Sequence, residues 1–88
     1  MYRVEFRPRA ALEFENLDAA VAGRVLKKLR WLAENFDSLN PEPLVGPFSG
    51  LFKLRVGDYR VIYQPNRESR ILKVRALGHR REIYNQPA

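Results

Sequence analysis

The stretch Leu51-Phe52-Lys53-Leu54-Arg55-Val56-Gly57-Asp58-Tyr59-Arg60-Val61-Ile62-Tyr63 decides the fold. On both sides of Gly57-Asp58, apolar and cationic residues alternate with the period of two that marks a strand with one buried face. A Gly-Asp pair between two such runs is the chemistry of a two-residue hairpin turn. Folding the string there pairs Val56 with Tyr59, Arg55 with Arg60, Leu54 with Val61 and Lys53 with Ile62. Phe52, Leu54, Val56, Tyr59, Val61 and Tyr63 then share one face, a core surface, and Lys53, Arg55 and Arg60 collect on the other. Like charges directly opposed across strands are destabilising, by up to about 1 kcal/mol, and no acid alternates with them in this string. Two readings stay open: a solvated outer face, or a face built to meet phosphate.

Working outward, a polar turn at residues 65–69 leads to a third strand, Arg70–Leu77. Its alternation puts Leu72, Val74 and Ala76 on one side and Ile71, Lys73, Arg75 and Leu77 on the other, so Lys73 and Arg75 join the cations. The tail Gly78-His79-Arg80-Arg81-Glu82-Ile83-Tyr84 adds two arginines, the single histidine and an aromatic hydroxyl. Upstream, Asn40 to Gly50 holds three prolines and two glycines and reads as a connecting loop. Before it, Val21, Val25, Leu26, Leu29, Leu32, Ala33 and Phe36 recur every three or four residues behind Asp18, a good N-cap, and predict a core-facing helix. Trp31 on that helix reads as an edge-of-core or partner-contact residue. Pro8 opens a shorter helix through Ala10–Phe14, with Glu13 and Glu15 on its wet side, and Tyr2–Phe6 alternates as a first strand. The order predicts one α+β domain over residues 1–88: an antiparallel β-sheet with an N-terminal strand, a two-helix hairpin on one face and a C-terminal three-strand meander.

Composition narrows the function. The chain of 88 residues carries a net charge of +6, and the division of that charge is informative. Residues 1–50 hold seven bases and seven acids, whereas residues 51–88 hold nine bases against three acids. The whole excess lies in the last three strands and the tail, which points to a polyanionic partner, nucleic acid or an acidic protein segment. The chain has no cysteine and one histidine, which excludes thiolate chemistry and disulfides and argues against a metal site or cofactor. The longest apolar run, Ala19–Ala22, is far too short for a membrane span or signal-peptide core, so the expected location is the cytoplasm. Arginine grips phosphate bidentately and a tyrosine ring stacks on a splayed base, so the basic face with Tyr84 fits single-stranded RNA.

The string 51–63 together with 78–84 resembles the RelE/ParE superfamily of toxins from type II toxin–antitoxin modules, RelE-like branch favoured, and the resemblance spans nearly the whole chain. It implies an endoribonuclease that enters the ribosomal A site and cleaves mRNA there, by attack of the RNA 2′-hydroxyl on its own phosphodiester without metal or cofactor. It further implies a cognate antitoxin that wraps the toxin. Carried across residue by residue, Lys53, Arg60, Arg80 or Arg81, and Tyr84 match the catalytic set. Lys53 is the candidate base, Arg60 the clamp on the transition state, Arg80 or Arg81 a proton donor or second clamp, and Tyr84 orients the scissile nucleotide. Arg55, Lys73, Arg75 and His79 are the expected RNA-binding residues, with His79 the more natural acid if it reaches the site. RelE proteins often carry a second lysine where this chain has Leu51. ParE toxins share the fold, act on DNA gyrase and usually lack the complete basic and tyrosine set. A gyrase inhibitor, or a non-catalytic nucleic-acid or antitoxin-binding protein, is the alternative.

Overall fold

The computed structural model describes residues 1–85. Its elements are β1 (Arg3–Phe6), α1 (Pro8–Glu15), α2 (Ala19–Asn35), β2 (Glu42–Pro43), β3 (Phe52–Val56), β4 (Tyr59–Asn66) and β5 (Ile71–His79), with 3₁₀ turns at Phe36–Ser38, Gly46–Phe48 and Ile83–Asn85. The fold is α+β, with the two helices against one face of a five-stranded sheet in the order β1-β5-β4-β3-β2.

The local chemistry follows the residues. Pro8 occupies the first turn of α1, and the Asp18 side chain accepts from the Ala20 N–H at 3.2 Å to cap α2. Val25, Leu29, Leu32 and Phe36 of the α2 stripe are all essentially out of solvent. Leu26 is 47% exposed, because it lies one helical step round from Val25 and has turned off the buried face. The β3–β4 hairpin keeps the register read from sequence, including Arg55 opposite Arg60 and Lys53 opposite Ile62. Gly57 takes φ 58° at the first turn position, a conformation L side chains rarely adopt.

Three features depart from the expected architecture. β1 pairs parallel to β5, Val4 with Leu72 and Phe6 with Val74, so the sheet is mixed rather than wholly antiparallel. Alternation along a strand fixes which residues are buried but carries no information about a neighbour's direction. Secondly, Glu42 and Pro43 of the supposed loop form a two-residue edge strand on β3, a position where a proline's missing N–H faces outward. Thirdly, a β-bulge shifts the β4–β5 register between Ile62, which opposes Ala76, and Tyr63, which opposes Val74. The bulge reverses the phase of the rest of β5: Leu77 turns into the core at 2% exposure, and Ala76 moves to the opposite face. Leu77 and Ala76 therefore exchange the sides that unbroken alternation assigns them.

The bulge is secured from α1. Glu13 is not on the wet side of its helix: its Oε1 accepts the Leu77 N–H at 3.0 Å while Oε2 meets Arg9 Nε at 3.5 Å. The main core lies between helices and sheet, with Phe36, Tyr63, Leu72, Val74 and Leu77 at its centre. Ile62 and Ile83 are also buried, at 4% and 3% exposure, yet they stand apart from that core. Ile62 points to the opposite face of β4, and the last 3₁₀ turn folds back so that Ile83 rests against Gly78 there. Ile62 is paired with Lys53 across the hairpin and Ile83 precedes Tyr84, so both apolar side chains belong to the face that carries those residues.

Candidate functional site

On the face away from the helices, β3 presents Lys53 and Arg55, and β2 brings Glu42 beside them. Glu42 Oε2 lies 3.1 Å from Lys53 Nζ and 3.0 Å from Arg55 Nη2. These contacts hold the Glu42 carboxyl below its ordinary range, the Arg55 hydrogen bond acting first and the Lys53 bond next, and they raise Arg55 in return. Sequence alternation places no acid on this face; Glu42 was missed because it belongs to a different segment. The readable signal lay in Pro41-Glu42-Pro43, since a residue before proline is driven to extended backbone and can therefore join a sheet edge.

Tyr84 comes to the same place from the other end of the chain. Its ring centroid is 5.8 Å from Lys53 Nζ, and the residue is 39% exposed. Phe48, from the turn before β3, meets Tyr84 edge to face with centroids 6.3 Å apart. Phe48 and Ile83 were not singled out from sequence, because their part in the site depends on how the tail folds back. Behind Lys53 and Arg55 runs a groove of about 250 Å³ walled by Trp31, Leu32, Leu39 and Pro41, with Lys28 Nζ 4.2 Å from the Trp31 ring.

The other expected residues fall around this centre. Arg60 stands opposite Arg55, and the two like charges turn apart: Arg55 leans to Glu42 while Arg60 Nη1 donates to Gly57 O at 2.8 Å and Tyr59 O at 2.9 Å. Arg80 is drawn to the same hairpin turn, its backbone N–H donating to Asp58 O at 2.8 Å and its Nε 3.6 Å from Asp58 Oδ1. Lys73 opposes Gln64 on β4 and Glu5 on β1, and Arg75 Nη1 donates to Gln64 Oε1 at 3.0 Å; both sit further along the sheet, toward β1. His79 does not join them. Past the bulge it opposes Tyr59, its ring 5.6 Å from that of Tyr59, on the side where Tyr59 packs against the core. Its Nδ1 accepts the Arg81 N–H at 3.2 Å, so His79 shapes the start of the tail. Lys53 thus meets Tyr84 and shares Glu42 with Arg55, Arg60 and Arg80 gather at the adjoining turn, and His79 stands on the other face after the change of phase. Among the described residues no cluster of potential ligands could hold a metal ion, and no helix is long and apolar enough to cross a membrane.

With this geometry in view, the relatives fall into place. The profile of the family described as ParE toxin of the type II toxin–antitoxin system, parDE, matches residues 4–84. A RelE-like toxin protein of Escherichia coli is 32% identical over 91 residues, covering 96% of this chain and 90% of that protein. Among solved structures, the isolated RelE toxin of Escherichia coli superposes with a TM-score of 0.76 at 25% identity, covering 90% of this chain and 84% of the other. The toxin–antitoxin complex RelBE2 of Mycobacterium tuberculosis superposes with a TM-score of 0.79 at 23% identity, covering 89% of this chain and 96% of the other. The chain belongs to the RelE/ParE superfamily of toxins from type II toxin–antitoxin systems.

Proposed function

We propose that this toxin is a ribosome-dependent mRNA endoribonuclease of the RelE kind, acting in the cytoplasm and held in check by a cognate antitoxin. The observation that carries the reading is the Tyr84 ring set beside Lys53, with Arg55 held next to Lys53 on the same Glu42 oxygen, a combination suited to a phosphate with a base stacked beside it. In the reaction the 2′-oxygen attacks phosphorus, the P–O5′ bond breaks, the 2′ proton goes to a base and the 5′-oxygen takes a proton from water. The products are a cyclic phosphate and a free 5′-hydroxyl. Lys53 is the candidate base, a role it takes only after its ammonium has left Glu42 and given a proton to solvent; Arg55 and Arg60 carry the charge growing on the phosphorane oxygens, and Tyr84 orients the scissile nucleotide. Arg60 reaches the phosphate only by leaving its two turn carbonyls. Arg80 and Arg81 supply fixed charge near the departing oxygen rather than a proton, because a guanidinium stays protonated at any working pH. Lys73 and Arg75 extend the cationic track toward β1, where the RNA strand would continue.

Inducible expression with and without the neighbouring open reading frame, followed by mapping of transcript ends, tests this. Cuts within codons of translated messages are expected, abolished by Lys53→Ala or Tyr84→Ala while the variants still fold. The match to the parDE family description supports a second reading, a DNA gyrase inhibitor. Intact transcripts together with gyrase-dependent DNA breaks would establish that one instead. For the antitoxin, an acidic segment lying on the basic face complements the +6 charge.

A further inference from the structure

The seat between Lys53 and Arg55 is filled from within the chain. A single oxygen, Glu42 Oε2, takes both cations at 3.1 and 3.0 Å, the distances of charge-assisted bonds to an oxyanion. A non-bridging phosphate oxygen would make the same two contacts. The backbone that delivers this carboxylate is preorganised. Pro41 and Pro43 fix φ on either side of Glu42, β2 is laddered to β3 at Glu42–Lys53 and Pro43–Phe52, and the Leu44 N–H donates to Leu51 O at 2.9 Å. Folding gains little from the arrangement. The Glu42 and Arg55 side chains are 45% and 59% exposed, and an ion pair so open to water contributes little to stability; Lys53, at 21%, is the more enclosed partner. Its main effect is to cancel positive charge at the point where a polyanion would arrive.

Building on the RNA-cleavage reading, we infer that Glu42 is a specificity-determining residue, an internal phosphate mimic that RNA must displace from Lys53 and Arg55. An RNA that offers only backbone charge displaces it with nothing to offset the loss. A message fixed by additional contacts recovers that loss, so the device discriminates against stray RNA.

The test is binding of a short single-stranded 2′-O-methyl RNA, whose blocked 2′-oxygen prevents cleavage, to the full chain and its variants. Glu42→Gln is expected to bind about five- to tenfold more tightly, as release of two cations from a competing charge implies. Glu34→Gln makes the same change of net charge on the exposed side of α2 and is expected to gain less than about twofold. With Lys53→Gln and Arg55→Gln already in place, Glu42→Gln is expected to gain nothing. Thermal midpoints of all the chains guard against unfolding as the cause. Equal or weaker binding by Glu42→Gln, or an equal gain by Glu34→Gln, overturns the inference. The nuclease reading fails on a separate measurement, intact transcripts on expression of the unaltered chain.

Discussion

Asp37 ties three parts of the chain together with one carboxylate. Tyr2 donates its hydroxyl to Oδ1 at 2.9 Å, Arg70 Nη2 reaches Oδ2 at 3.2 Å, and Arg67 stands 3.8 Å away. The Tyr2 hydrogen bond is the largest influence holding this carboxyl below its ordinary value of 3.8; desolvation opposes it, and Arg70 and then Arg67 add to the lowering. A depressed folded-state carboxyl contributes stability that is present above the unfolded value and lost as pH falls through the folded one. The urea midpoint is therefore expected to drop as pH falls below about 4, and Asp37→Asn to flatten that part of the profile; an unchanged slope would refute the assignment. Arg70 takes part at a cost, since its φ of 58° is one L residues seldom adopt. In the site, Phe48 plays a comparable positioning role for Tyr84. Edge-to-face pairs contribute roughly 0.5–1.5 kcal/mol, so on the nuclease reading Phe48→Ala is expected to lower transcript cleavage several-fold. Phe48→Tyr should keep most of the activity and Phe48→Leu should not; equal cleavage by the two would mean that Phe48 acts by packing alone.

The β5 bulge shows what a sequence hides as well as what it states. Arg75 and Ala76 together span the register shift against Ile62 and Tyr63, and no proline or glycine marks the spot. Strict alternation therefore misplaces Ala76, Leu77 and His79, although it places everything before the bulge correctly. The hairpin around Gly57-Asp58 was legible because turn chemistry and both faces agreed, and α2 because its cap and its stripe agreed. The direction of β1, the pairing of Glu42 with Lys53 and the return of Ile83 onto Gly78 are long-range choices made by packing, and nothing local encodes them. Lys53, Arg55 and Arg60 were readable as one cationic face; that two of them share one carboxylate, Glu42, was not. Glu13 is the bulge's anchor, and its removal leaves the Leu77 N–H without its acceptor. Glu13→Ala is expected to cost about 1–2 kcal/mol in a denaturant titration. Glu13→Gln keeps an acceptor and should cost less, and equal losses in the two would mean that the Arg9 ion pair matters rather than the bulge.

Across the molecule, the positive excess of residues 51–88 is not a uniform coat. Arg67 and Arg70 are spent on Asp37, Lys53 and Arg55 face Glu42, and Arg80 faces Asp58. Lys73 and Arg75 lie along the sheet from the Tyr84 centre, Arg75 bound to the neutral Gln64 side chain. That distribution separates two roles for charge in binding RNA. Cations that hold the reacting phosphate decide chemistry, while those along the track add affinity without sequence preference and release counterions. On the nuclease reading, Lys73→Gln and Arg75→Gln should each weaken binding of the blocked single-stranded RNA uniformly across sequences. Each should also reduce the slope of log K against log salt by about 0.7, the contribution of one phosphate contact on a single strand. Cut positions within codons should stay where they are, because the groups around Tyr84 are untouched. If both variants keep the full salt slope, the strand leaves the protein by another route, and the groove between Trp31 and Leu39, which opens beside Lys53 and Arg55, becomes the path to probe by the same measurement with Lys28→Gln.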